Sequence, residues 1–223
     1  MTKKSGYIIE LEGGDGAGKK TQTELLRRRL AEAGWEVRVF SFPDDATPYG
    51  RLIRAGLNGE HGDFRHTDPY LTAPLYIADR DVWKQEIAES LGRSAIVILD
   101  RGPFSNHAYQ GVKIPDRQDR DRFQEWLDRF EFDQLHHLPP DLVLVLDVPS
   151  DISDELMGRR GVYDQHERDI EFQRAVHEEF LHLAQSRGWS VVDCAGTESV
   201  IASREAIHER VWEVVHAFLA RHE

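Results

Sequence analysis

Nine consecutive residues near the N-terminus have the composition of an anion cradle: Gly13-Gly14-Asp15-Gly16-Ala17-Gly18-Lys19-Lys20-Thr21. Glycines let backbone N–H groups turn inward and surround phosphate oxygens, and the positive end of a following helix adds to the attraction. Lys19 supplies a full cation to the β- and γ-phosphates of a nucleotide. The residue after that lysine is normally Ser or Thr, whose hydroxyl binds Mg²⁺. Here it is Lys20, which has donors only. Thr21 lies about 100° further round a helix and is no simple replacement. Two readings follow. Mg²⁺ is held by carboxylates and water, with Lys20 adding charge near the phosphates, or the loop binds nucleotide without efficient catalysis. The first is preferred, because Mg²⁺ keeps several waters and needs few protein ligands.

Three other groups carry chemistry. Asp100 closes an apolar run and is placed to hold Mg²⁺ directly or through water, or else to cap the following loop. Arg101 offers a planar fork that can bridge an acceptor phosphate and a transferring phosphoryl group, with a structural ion pair as its rival role. Met157-Gly158-Arg159-Arg160-Gly161 sets two arginines between glycines. That pattern suits a short lid, about residues 150–166, carrying positive charge over the phosphates; a solvated basic turn is the alternative. Asp15 inside the loop is costly among phosphates unless a cation or hydroxyl partners it.

Chemistry at these positions requires elements that hold them. Tyr7–Leu11, Ala95–Leu99, Leu142–Val148 and Trp189–Val192 read as buried parallel strands, and Val37–Phe42 as a weaker fifth. Helical stripes lie between them. Leu25, Leu26 and Leu30 mark one, ending at Gly34. Others are Leu71, Leu75, Ala78 and Val82; Phe123, Trp126, Leu127 and Phe130; Phe172, Val176, Phe180 and Leu183; and Ile207, Val211, Val214 and Phe218. Strands alternating with helices predict an α/β three-layer, doubly wound fold with a five-stranded parallel sheet, in one domain over residues 1–223. Gly56–Asp68 reads as a surface loop.

The 223 residues carry 28 basic and 40 acidic side chains, a net charge of −12. That argues against nucleic acid as a partner, since such proteins present a basic face; a local basic pocket for a small anion remains compatible. The single cysteine, Cys194, excludes an intrachain disulfide and reads as a core residue. His61 and His66, like His177 and His182, stand five apart, the wrong spacing for two zinc ligands on one helical face. Met1–Ser5 lacks the roughly 7–15-residue apolar stretch of a signal peptide, and no run approaches the roughly 20 residues of a membrane span. A cytoplasmic location is expected.

Against this background, Leu11-Glu12-Gly13-Gly14-Asp15-Gly16-Ala17-Gly18-Lys19 followed by Thr21-Gln22 resembles the phosphate loop of thymidylate kinases. Asp100-Arg101-Gly102-Pro103-Phe104-Ser105-Asn106-His107-Ala108-Tyr109-Gln110 is similar to the family's Asp-Arg-Tyr block, with Gly102 where the aromatic residue stands. Phe130–Leu142 and Tyr163–Arg168 resemble, respectively, the approach to the fourth strand and the end of the lid. The resemblance implies ATP as co-substrate, Mg²⁺, a deoxynucleoside monophosphate acceptor (thymidylate) and a homodimer. It also implies that Gly13, Gly14, Asp15, Gly16, Ala17, Gly18, Lys19, Lys20 and Thr21 hold ATP, with Asp15 meeting the acceptor's 3′-hydroxyl and linked to Mg²⁺. Tyr76 would stack on the base, Arg80 would donate to a thymine carbonyl, and Ser105 and Asn106 would address the base edge. Tyr109 would crowd the 2′ position. Asp164, His166 and Glu167 would close the pocket from the lid, with Glu167 a further candidate for Mg²⁺. Ala17 leaves no arginine in the loop, so Arg159 or Arg160 must supply it. Two rivals stand beside this reading: a deoxynucleoside kinase using Asp44 or Asp45 as base, and a slow nucleotide-binding regulator suggested by Lys20.

Overall fold

The computed structural model describes residues 6–148, 166, 169–196 and 200–222. Five strands form one parallel sheet: β1 (Tyr7–Glu12), β2 (Val37–Ser41), β3 (Ile96–Asp100), β4 (Leu142–Asp147) and β5 (Ser190–Asp193), in the order β2-β3-β1-β4-β5. The three central strands are covered on both faces and read as apolar runs; β2 and β5 lie at the edges and are half-exposed. That is why Val37–Phe42 carries the weaker pattern. The register pairs Leu11 with Asp100. It therefore sets the end of β3 directly beside the residues that lead into the glycine loop.

Eight α-helices are described: α1 (Lys19–Glu32), α2 (Pro48–Leu57), α3 (Pro69–Asp81), α4 (Lys84–Gly92), α5 (Pro103–Tyr109), α6 (Arg117–Asp128), α7 (Ile170–Arg187) and α8 (Arg204–Ala220). Leu26 and Leu30 of α1 and Val211 and Val215 of α8 cover one face of the sheet together with Cys194. Helices α4, α5 and α7 cover the other, through Leu91, Ala108 and Phe180. Burial pushes the Cys194 thiol up to about 12, which leaves it an inert core group.

Two expectations change here, on α3 and on residues 58–68, and α2 is a helix without a prior expectation. The buried face of α3 carries Ala73, Ile77 and Arg80, whereas Leu71 and Val82 are exposed. The apolar stripe was misphased because polar Thr72, Asp79 and Arg80 are themselves buried on that helix. Helix α2 starts at a Thr47 cap followed by Pro48, a start signal without a long apolar stripe behind it. Finally, residues 58–68 are not wholly a surface loop. Phe64 inserts into a cluster with Ile53 and Leu57 beneath Tyr76, and its ring lies where a Cβ on Gly56 would stand, at 2.8 Å. Truncation to Phe64→Ala is expected to cost about 3 kcal/mol in urea unfolding. A loss under about 1 kcal/mol would mean that this segment is not part of the core.

Candidate active site

The glycine loop sits between β1 and α1, as its spacing requires. Gly13 passes so close to β4 that a Cβ would lie 2.8 Å from the Leu146 carbonyl oxygen. Gly18 has φ 82°, a left-handed conformation that ordinary side chains disfavour, and it caps α1. Lys19 is buried and its Nζ donates to the carbonyls of Gly13 (2.8 Å) and Gly14 (2.7 Å). Burial, then the neighbouring Arg101 cation, lowers Lys19 to about 8, against the pull of Asp15. Lys20 is exposed, and both it and Thr21 line the same cavity as the loop.

That cavity has a volume of about 380 Å³. Arg101 enters it from the end of β3 with φ 64°, its backbone N–H donating to the Leu11 carbonyl at 3.1 Å. Its guanidinium pairs with the Asp15 carboxylate and lies 5.0 Å over the Tyr109 ring. Burial would raise Asp15, but Arg101, then Lys19 and Gln173, overcome it and hold the carboxyl at about 2. The cation partner that Asp15 needs is thus supplied by the protein itself.

The acceptor side draws on three helices. Tyr76 and Arg80 come from α3, Ser105, Asn106 and Tyr109 from α5, and His166 stands ahead of α7; all line the cavity. Arg80 is buried and its Nε and Nη2 donate to the two oxygens of Glu131, both at 2.7 Å. Ser105 Oγ donates to Glu12 at 2.7 Å, and Asn106 Nδ2 to the Ala73 carbonyl at 3.3 Å. Both side chains therefore make internal contacts, which the expectation of a base-edge role did not include. Burial, then Lys113, lowers His166 to about 3, so the ring is neutral at physiological pH. It stacks 6.0 Å from Tyr109. Arg159, Arg160, Asp164 and Glu167, and with them the lid, lie outside the described residues.

The family described as thymidylate kinase matches residues 11–207. The chain belongs to the thymidylate kinase family. It is 33% identical over 214 residues to a probable thymidylate kinase of Pyrococcus abyssi, covering 94% of this chain and 96% of that one. It is 32% identical to the thymidylate kinase of Mycobacterium tuberculosis over 82% of this chain and 87% of the other. Among solved structures, thymidylate kinase from Candida albicans superposes with a TM-score of 0.76 over 98% of this chain and 94% of that one, at 24% identity, which bears on the fold alone. The enzyme from Ehrlichia chaffeensis gives 0.67 at 26% identity, over 95% and 99%. As a member of this family the protein is a nucleotide-binding kinase, an ATP-dependent phosphotransferase.

The Asp-Arg turn leaves one carboxylate open. The Asp100 side chain is half-buried on the cavity wall and makes no hydrogen bond or ion pair among the described residues. One open carboxylate beside a phosphate site suits Mg²⁺, which completes its shell with water and phosphate oxygens. No cluster of three acidic, His or Cys side chains capable of holding a metal exists among the described residues. No described helix is long and apolar enough to cross a membrane.

Several residues at the site escaped sequence reasoning. Gln173 of α7 donates to Asp15 (2.8 Å) and to the His166 carbonyl (3.1 Å). Its signal was a polar residue beside the apolar stripe of α7. Glu131 sits on a π-helical turn, Arg129–Gln134, a geometry often found at functional sites. Burial alone would raise its carboxyl; Arg80 and His137 hold it at about 2 instead. A carboxylate depressed in this way contributes stability that is present above its ordinary value of 4.5 and lost as the pH falls through about 2. In urea unfolding, Glu131→Gln is expected to lose about 3 kcal/mol at pH 7, because Arg80 keeps its buried charge without a partner. The acid slope between those two pH values should become shallower. An unchanged slope would remove Glu131 as the holder of Arg80.

Proposed function

We propose that the protein transfers the γ-phosphoryl group of ATP to dTMP, giving dTDP. The observation that carries this reading is the convergence of a phosphate loop, the Asp100–Arg101 turn and the Tyr76–Arg80 helix face on one cavity. ATP phosphates lie on the backbone N–H groups of the loop and on Lys19. Arg101 neutralises the charge shared between the acceptor phosphate and the moving phosphoryl group. Asp15 fixes the direction of that guanidinium and accepts from the sugar 3′-hydroxyl. Tyr76 stacks on the thymine, Arg80 donates to its carbonyl, and Tyr109 stands near C2′. Asp100 would hold Mg²⁺, which would supply neutralisation of the phosphate charge. No general base is needed, because a phosphate oxygen of the acceptor is already a nucleophile. Catalysis is alignment and charge neutralisation. A lid arginine, Arg159 or Arg160, completes the positive charge, and the working unit is a homodimer in the cytoplasm.

The deoxynucleoside kinase alternative required a carboxylate base at the end of β2. Asp44 Oδ1 instead accepts from the Ala46 N–H at 2.9 Å, and Asp45 faces outward to Arg54. Neither lines the cavity.

A coupled assay offering dTMP, dUMP, dCMP and thymidine separately tests the acceptor. Turnover is expected with dTMP, and thymidine as the better acceptor would overturn the reading. Tight ATP binding with no dTDP formed at any Mg²⁺ concentration would favour the regulator suggested by Lys20. Arg101→Ala is expected to lose at least about a hundredfold in kcat, close to 2.7 kcal/mol of transition-state stabilisation. Near-normal turnover in that variant would remove Arg101 from the phosphoryl-transfer step.

A further inference from the structure

Strand β1 reads Tyr-Ile-Ile-Glu-Leu-Glu, and its pleat puts Ile8, Glu10 and Glu12 on one face. Both glutamates are completely buried, and neither forms an ion pair among the described residues. A buried carboxyl group is costly unless it is hydrogen-bonded. Both are bonded, and to one object. Glu12 Oε1 accepts from the Gly102 N–H (2.9 Å) and from Ser105 Oγ (2.7 Å), while Glu10 Oε1 accepts from the Phe104 N–H at 3.0 Å. These donors belong to the turn that opens α5. Gly102 has no side chain to cap that helix, and Pro103 has no N–H. The two strand glutamates therefore take the place of a cap.

Gly102 is matched to this arrangement. A Cβ built on it would lie 2.6 Å from Glu10 Cδ and under 3.0 Å from both its carboxyl oxygens. The position at which the family resemblance places an aromatic side chain is filled here by the carboxyl of Glu10. Burial and the adjacent Glu12 raise the Glu10 carboxyl well above the ordinary range. Oε2 of Glu10 and Oε2 of Glu12 have no hydrogen-bond partner among the described residues.

Arg101 immediately precedes this turn and holds a left-handed backbone conformation, φ 64°. Such a conformation is disfavoured in a non-glycine residue and persists only where the surroundings over-determine it. Here β1 grips it on both sides, through Leu11 O to the Arg101 N–H and Glu12 to the Gly102 N–H. We propose that Glu10 is a positioning residue for phosphoryl transfer: set beside Glu12, and admitted by Gly102, it anchors the 102–105 turn and so aims the Arg101 guanidinium at the transferring group. The proposal rests on the role of Arg101 in neutralising that group.

The test is a set of full-length variants, Glu10→Val, Glu10→Gln, Gly102→Ala and Glu10→Val/Gly102→Ala, each measured for kcat, both KM values and thermal unfolding. Glu10→Val should lower kcat about 10- to 100-fold, the scale of a displaced transition-state donor, while each KM stays within about threefold. Glu10→Gln, which still accepts from the Phe104 N–H, should keep kcat within about threefold of wild type. Gly102→Ala alone should be slow, and the double variant no slower than Glu10→Val, because valine vacates the space the new methyl needs. Multiplying losses in the double variant, or Glu10→Val at wild-type kcat, would overturn the proposal. If Glu10→Val does not fold, Gly102→Ala decides: wild-type kcat in that variant overturns the proposal, and a loss of about 10- to 100-fold with each KM within about threefold supports it. Arg101→Ala at full turnover would instead defeat the reading of Arg101 itself. An inactive Arg101→Ala beside a fully active Glu10→Val would defeat only the inference about Glu10.

Discussion

The ion pair between Asp15 and Arg101 joins the two halves of the site. Asp15 belongs to the loop after β1 and Arg101 to the turn after β3, and the pair closes because the two strands are neighbours with Leu11 opposite Asp100. Both side chains are largely screened from water, where charge–charge attraction is strongest. Gln173 from α7 grips the carboxylate from the other side, and Tyr109 lies under the guanidinium. Loop, turn and two helices thus share one electrostatic centre, and any element that moves must break a buried contact.

That centre also explains how a chain with net charge −12 presents a site for anions. Lys19 and Arg101 are close enough that Arg101 helps to depress the lysine, yet Asp15, Glu12 and Asp100 support its charge. The acidic excess lies mostly elsewhere and acts on solubility, not on the pocket. A polyphosphate entering between the two cations meets a field set by a few buried groups and not by the global charge. Lys20, exposed at the rim, adds a cation where a hydroxyl normally stands, and the Asp100 carboxylate on the cavity wall makes no hydrogen bond or ion pair among the described residues.

Much of the frame was legible from the chain. Continuous apolar runs at β1, β3 and β4 mark strands covered on both faces, and the glycine spacing before Lys19 marks the loop between a strand and a helix. Less was legible where a side chain serves two neighbours at once. Arg80 looks like a pocket residue on a helix, and it does line the cavity, but its clamp by Glu131 joins residues 51 positions apart. The α3 stripe was misread because burial there includes a charged group whose partner is remote. Phe64 looked like part of a polar loop, and only the space beneath Tyr76 shows why an aromatic ring belongs there.

The order of chemical groups along the chain was enough to determine the fold class, the family and the phosphate loop, because those depend on local periodicity and on short, contiguous spacing. Tertiary structure alone decided which carboxylate meets which cation. Asp15 could have faced metal, sugar or solvent; strand register gave it Arg101. Glu10 could have passed for one polar residue in an apolar strand; the absence of a Cβ at Gly102, 92 residues later in the sequence, turned it into an anchor for the turn that carries Arg101. Pairings of this kind depend on distance in space and on the cost of leaving a buried charge alone, and neither quantity is written in sequence order.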